Sequence, residues 1–201
     1  MSNARNLANL MGTNTLVPQS KVNLSLGSSD MPTGSVLQVK FGEFNDDITN
    51  TTGTEQDVLT LTITPSATSS KIYLMSHAQQ SSVERYHHVK LYRKIGTGSF
   101  TQIAKGDNSS ETSREGAWYC CSTGAVSGAT YMQTNSAGFF LDEPATTSQL
   151  TYKITMGART SSITGYAFTV NSAHYHGITA AQNTWWNTFP ITTLSAMEIA
   201  G

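Results

Sequence analysis

The sequence predicts an all-β fold, an antiparallel β-sandwich of jelly-roll-like type, and three observations lead there. Apolar and polar residues alternate with period two, as where Leu59, Leu61 and Ile63 interleave with Thr60, Thr62 and Thr64 before Pro65 stops the run. Gly, Pro, Asn and Asp interrupt such runs at short spacing. No stretch holds a helical period long enough for a long helix. A chain of 201 residues buries a substantial core and fits one all-β domain.

The elements follow in order. Residues 1–34 read as an N-terminal arm and residues 35–201 as the sandwich domain. Within the arm, Leu7, Leu10 and Met11 share one helical stripe before Gly12 ends it. That helix is too short to stand alone, so its apolar side is expected to dock on a partner chain. Residues 13–34 are polar and broken by Pro18, Gly27, Pro32 and Gly34, a tether. From Ser35 on, nine or ten strands are expected. "SVLQVKF" sets Leu37, Val39 and Phe41 against Gln38 and Lys40, and "DVLTLTIT" follows a polar loop at 43–56. "SKIYLMSHAQ" carries Ile72, Leu74 and Ala78 on one side, and Tyr73, Met75 and His77 on the other. "HHVKLYRKI" and "GSFTQIAKG" flank the hairpin signal Gly96–Gly98. "AWYCCST", "TYMQTNSAGFFLDE", "QLTYKITMGAR" and "TGYAFTVNS" come next, and "FPITTLSAMEIAG" closes the chain with Met197 and Ile199 expected in the core.

Strands such as "SKIYLMSHA" and "AWYCCST" are apolar on both faces, more than a sandwich with one wet face per sheet requires. The surplus needs cover, and symmetric copies in a homotrimer would supply it.

Composition narrows the function. The formal net charge is −1, which gives no field to attract nucleic acid or an anionic membrane. Charged residues make up 12%, about half the usual share, and 29 Thr and 24 Ser take their place. Threonine suits a half-buried strand because its methyl packs while its hydroxyl stays wet. No apolar run has the form of a secretory signal or the length of a membrane span, so neither is expected. Cys120 and Cys121 are adjacent, a spacing that supports neither a disulfide framework nor a metal site.

No catalytic set is expected. The chain has no Gly-x-Ser-x-Gly elbow and no Gly-rich phosphate loop leading into a helix. Asp46–Asp47 and Asp142–Glu143 are sequence neighbours, which seldom face one another across a cleft. His87 and His88 fall on opposite faces of a strand. His174 and His176 share a face and have chelating spacing, but read as a polar pair, so no metal and no cofactor is expected. The best candidate contact is "AHYHGITAAQNTWWNTFP", residues 173–190. There Tyr175, Trp185 and Trp186, with His174 and His176, lie among Asn and Gln: aromatic faces for sugar C–H surfaces, amides for hydroxyls. The loop "KGDNSSETSREGAWY" at 105–119 is a second, weaker candidate.

"SVLQVKFGEF", "LTLTITPSATSSKIYLMSHAQ", "VKLYRK", "GSFTQIAKGD", "LTYKITMGAR" and "TLSAMEIAG" together resemble a domain of tailed-bacteriophage virion proteins of the tail-fibre or fibre-tip type. "MEIAG", and the pairing of "TITPSATSSKI" with the earlier "SVLQV", carry the resemblance most specifically. It implies a non-enzymatic, homotrimeric sandwich on the virion, made in the host cytoplasm and joined to tail, baseplate or capsid proteins by its arm. Host surface polysaccharide is the implied external partner, without nucleic acid or membrane insertion. The runner-up is a capsid or baseplate decoration protein with no receptor role. The resemblance transfers strands and turns, and no list of binding residues.

Overall fold

Period-two alternation becomes two facing antiparallel sheets in the computed structural model, which describes residues 27, 30–52, 54–82, 87–106, 116–121, 133–158, 168–171 and 190–201. Eleven strands are present among these residues: β1 Val36–Phe44, β2 Ile48–Asn50, β3 Gln56–Ile63, β4 Lys71–Ser82, β5 His87–Ile95, β6 Thr101–Ile103, β7 Tyr119–Cys121, β8 Gln133–Asp142, β9 Leu150–Ala158, β10 Phe168–Val170 and β11 Thr192–Ile199. The six-stranded sheet runs β1-β11-β4-β10-β2, with β8 on the free flank of β4. The five-stranded sheet runs β3-β9-β5-β6, with β7 also on β5. The chain thus passes repeatedly between the sheets and returns beside earlier strands, with β1, β11, β4 and β8 facing β3, β9, β5 and β7, the jelly-roll arrangement the sequence predicts.

The core lies between the sheets. Ile72, Leu74, Leu194 and Ala196 from one sheet meet Val89, Leu91, Tyr152, Ile154 and Met156 from the other, all fully buried. Each such large side chain contributes about 1.5–3 kcal/mol by leaving water. A buried carboxylate ties the two sheets together. Asp142, at the end of β8, accepts from Arg93 Nη1 on β5 and from the Tyr152 hydroxyl on β9, each at 2.6 Å. Burial and the neighbouring carboxylate push the Tyr152 phenol far above its ordinary range, so it stays a donor.

Two expectations need correction. The polar stretch 43–56 is not all loop: β1 continues to Phe44, and β2 pairs with β10 inside it. Met197 and Ile199 are half-buried on the outer face of their sheet, and Leu194, Ala196 and Glu198 turn inward instead. Side-chain direction alternates strictly along a strand, so the pairing of β11 with β1 and β4 fixes which set goes in. The Gly96–Gly98 hairpin is as expected: Gly96 has φ +53°, and Gly98 N–H donates to Ile95 O at 3.0 Å.

Candidate functional site: one apolar face and one end of the sandwich

The two outer faces differ in chemistry. On the five-stranded sheet, Thr60 of β3 lies level with Lys153 of β9, Tyr92 of β5 and Gln102 of β6. Beside that row, Thr62 lies level with Thr151 and Lys94. Glu55 closes one end of this face. Its carboxylate accepts from Lys90 Nζ, the Tyr92 hydroxyl and the Thr155 hydroxyl, each at 2.7 Å. Burial works against its charge, but these donors outweigh burial and hold the carboxyl below the usual range. Lys153 Nζ, 2.9 Å from Asp57 Oδ1, sits 4.5 Å from the centre of the Phe100 ring. The threonines that alternate through β3 are exposed and water-facing.

The six-stranded sheet has an apolar outer face. One row crosses four strands as Val39, Met197, Tyr73 and Leu141, and the next as Phe41, Ser195, Met75 and Phe139. Phe139 is 63% exposed, Phe41 60%, Val39 55% and Leu141 47%. At one rim lies Glu43 with Thr193 and His77, and at the other the Lys71–Glu143 ion pair at 2.7 Å. The apolar side of β1 therefore points outward, and its polar side, Gln38, points in. Both faces of β4 are apolar as the sequence predicts: Ile72 and Leu74 pack inside, Tyr73 and Met75 outside.

The inward turn of β1 ends on Glu198. That carboxylate accepts Ser66 N–H and Ser66 Oγ at 2.6 Å, Ser70 Oγ at 2.7 Å, and Gln38 Nε2 at 2.6 Å. Glu198 is fully buried. Burial raises its proton affinity, yet the bonds from Ser66, Gln38 and Ser70 more than reverse this and keep it ionised below the usual range. "SVLQV", "TITPSATSSKI" and "MEIAG", the most specific sequence pieces, thus meet at one carboxylate. Sequence reasoning missed Glu198 because an acid in an alternating strand reads as solvent-facing.

The strand ends sort into two poles. Segments 83–86, 122–132 and 159–167 leave from and return to strand ends near Ser82 and His87, since Ser82 pairs with Phe168, His87 with Cys121 and Ala158, and Gln133 with Ser81. Segment 172–189 is flanked on the same half of β4, by Asn171 bonded to Gln79 O and by the start of β11, where Thr193 pairs with His77. The opposite pole holds Gly34, bonded to Ala200 O at 2.8 Å, together with the 64–70 turn and the 96–98 hairpin. The 12 residues of β4, at about 3.3 Å each, set these poles roughly 35–40 Å apart. Asn171 pins the base of the 172–189 connection. Its Oδ1 accepts from Thr192 Oγ1 at 2.6 Å, and its Nδ2 donates to Phe44 O at 2.6 Å and Asp46 O at 3.0 Å. At φ +55°, Asn171 occupies the left-handed region that asparagine tolerates.

His174, Tyr175, His176, Trp185 and Trp186 lie outside the described residues, as do Leu7, Leu10 and Met11. Residues 107–115 of the second candidate loop do too. Its base is anchored by Gln102 Nε2 to Gly116 O at 2.6 Å and by Trp118 N–H to Val89 O at 2.9 Å. Tyr119 and Trp118 from that base lie over Gly138 of β8, where no Cβ has room.

The neighbouring acids Asp142 and Glu143 point apart. Asp142 turns into the core, while Glu143 turns out to Lys71. His87 rests against Phe168 with ring centres 5.5 Å apart, and His88 lies beside Gly157, on opposite faces as expected. Cys120 is exposed and not in a disulfide. Among the described residues, no group of three or more His, Cys, Asp or Glu is placed to hold a metal ion, and no helix is long and apolar enough to cross a membrane.

No family model and no curated protein matches the chain. Among solved structures it is similar to one of the Gx strain of infectious bursal disease virus, with TM-score 0.37 and 10% identity over 82% of this chain and 36% of that chain. A VP2 subviral particle of the same virus gives TM-score 0.36 and 11% identity, over 82% of this chain and 38% of that one. The chain spans little more than a third of the length of either.

Proposed function

We propose that the chain is a non-enzymatic structural protein of a virion, a homotrimer of the tail-fibre or fibre-tip kind. Residues 1–34 fasten it to the particle, and the segment between Asn171 and Thr192 meets host surface glycan. One observation carries this reading: the arm enters the fold at one pole, and the aromatic-rich connection is anchored at the other. An attachment appendage needs that polarity, with one end for the particle and the far end for the target. Tyr175, Trp185 and Trp186 would stack on sugar faces, with His174 and His176 as hydrogen-bonding neighbours. Weak single contacts suffice, because several sites per particle act through avidity. The sequence resemblance supports the same reading independently of the fold.

The test separates the two poles. Removing residues 1–34 is expected to abolish incorporation into particles while leaving binding to host cells or their polysaccharide intact. Trp185→Ala with Trp186→Ala is expected to do the reverse. Loss of neither property in either variant overturns the reading.

A second reading, a capsid or baseplate decoration protein, is favoured by the exposed apolar face of the six-stranded sheet, which suits close packing in an assembly. It predicts no cell or polysaccharide binding by any form.

A further inference from the structure

We infer that the outer face of the six-stranded sheet is a self-association surface, covered by the other copies of this chain in the homotrimer, with Phe41 and Phe139 as its anchors. This deepens the homo-oligomer of the proposed function and names the surface that makes it. The argument starts with β1. Its pattern is amphipathic, and the Gln38–Glu198 bond, with the β1–β11 register, commits the polar side inward and Val39 and Phe41 outward. A strand whose apolar side is held toward solvent has its cover elsewhere.

The size of the face fits a protein partner. Val36, Val39, Phe41, Phe139 and Leu141 are about half exposed or more. Together they leave on the order of 400–500 Å² of apolar surface in water, the upper part of the range for the largest patch on a monomer. The half-buried Tyr73, Met75, Met197 and Ile199 bring the face toward the roughly 800 Å² per partner of a standard interface.

The chemistry of the face matches itself. Each apolar row carries large side chains at both flanks, Val39 and Leu141 in one, Phe41 and Phe139 in the other, around a centre of Met197, Tyr73 and Met75. Around a three-fold axis running along the strands, the β1 flank of one copy meets the β8 flank of the next, so Phe41 meets Phe139. The Lys71–Glu143 rim is internally paired and calls for no oppositely charged partner. The other outer face, with Lys90, Lys94, Lys153 and Asp57, offers no comparable surface, so growth stops at a small closed oligomer.

The experiment measures the mass of the full chain by sedimentation velocity and light scattering, with Phe41→Asp/Phe139→Asp beside Thr60→Asp/Thr62→Asp on the opposite face. The wild type and the threonine variant are expected to sediment at two or more chain masses. The phenylalanine variant is expected to fall to one, with its β circular dichroism and melting cooperativity retained. If that variant does not fold, Phe41→Ser and Leu141→Ser singly are expected to shift the dissociation midpoint to at least tenfold higher concentration. A wild type at single-chain mass overturns the inference, as does an oligomer indifferent to both sets of face substitutions, or one dissolved only by removing residues 1–26. Co-fractionation with particles is read separately. An oligomer through this face that never enters particles keeps this inference and loses the virion reading.

Discussion

Glu198 Oε1 accepts both the backbone N–H and the hydroxyl of Ser66, each at 2.6 Å, across a separation of 132 residues. The bond ties the last strand to the 64–70 turn, and Gln38 brings the first strand to the same group. Glu198→Gln puts amide hydrogens among donors in a fully buried site. It is expected to destabilise the fold by about 2–4 kcal/mol, and Ser66→Ala by about 1 kcal/mol, read by urea denaturation. Equal, small losses in both would show that the clip is peripheral.

The same carboxylate makes stability depend on pH. Glu198 and Glu55 are both held below the reference value of 4.5 in the folded state. A depressed folded value means that their stabilisation is present above about pH 4.5 and is lost as pH falls through the folded values. The melting temperature is expected to be flat from neutrality to about pH 5 and to drop below it. Glu198→Gln, already lower at neutral pH, is expected to show a shallower acid limb.

Asn171 supports the far pole. Asn171→Ala removes the bonds to Phe44, Asp46 and Thr192 and leaves a left-handed residue with no side-chain compensation. A loss of about 2–3 kcal/mol is expected in chemical denaturation. Asn171→Asp, which keeps the acceptor for Thr192, is expected to lose less.

Gly138 has no space for a methyl group beneath the rings of Tyr119 and Trp118. Gly138→Ala is expected to cost about 1–3 kcal/mol through overpacking, and pairing it with Tyr119→Ser should recover part of the loss. A neutral Gly138→Ala in a melting experiment would place the rings elsewhere.

Much of the fold is legible in the sequence where alternation is long. β5 occupies the expected 87–95, and the two apolar faces of β4 announce both the core and the uncovered outer surface. β2 is not legible: Ile48–Asn50 is three residues between acidic and hydroxylic neighbours, and only pairing with β10 makes it a strand. The inward Glu198 is equally hidden, because Met197 and Ile199 are the more apolar set and composition alone sends them to the core. Register overrides that preference once Ser66, Ser70 and Gln38 satisfy the acid. The threonines of β3 are legible in kind: they keep an exposed sheet wet with little charge. The aromatic-rich stretch between Asn171 and Thr192 lies outside the described residues, and the fold gives only the place where its ends are anchored.

Gly34 and Ser35 lie alongside Ala200, joined through Gly34 N–H to Ala200 O and Ala200 N–H to Ser35 O, each at 2.8 Å. A short linker could therefore join residue 201 to residue 34, with new termini opened at the 96–98 hairpin, giving a circular permutant that keeps every strand pair. Coupling to a solid support through residue 201 would likewise orient every molecule the same way, with the Asn171 pole directed toward the solution.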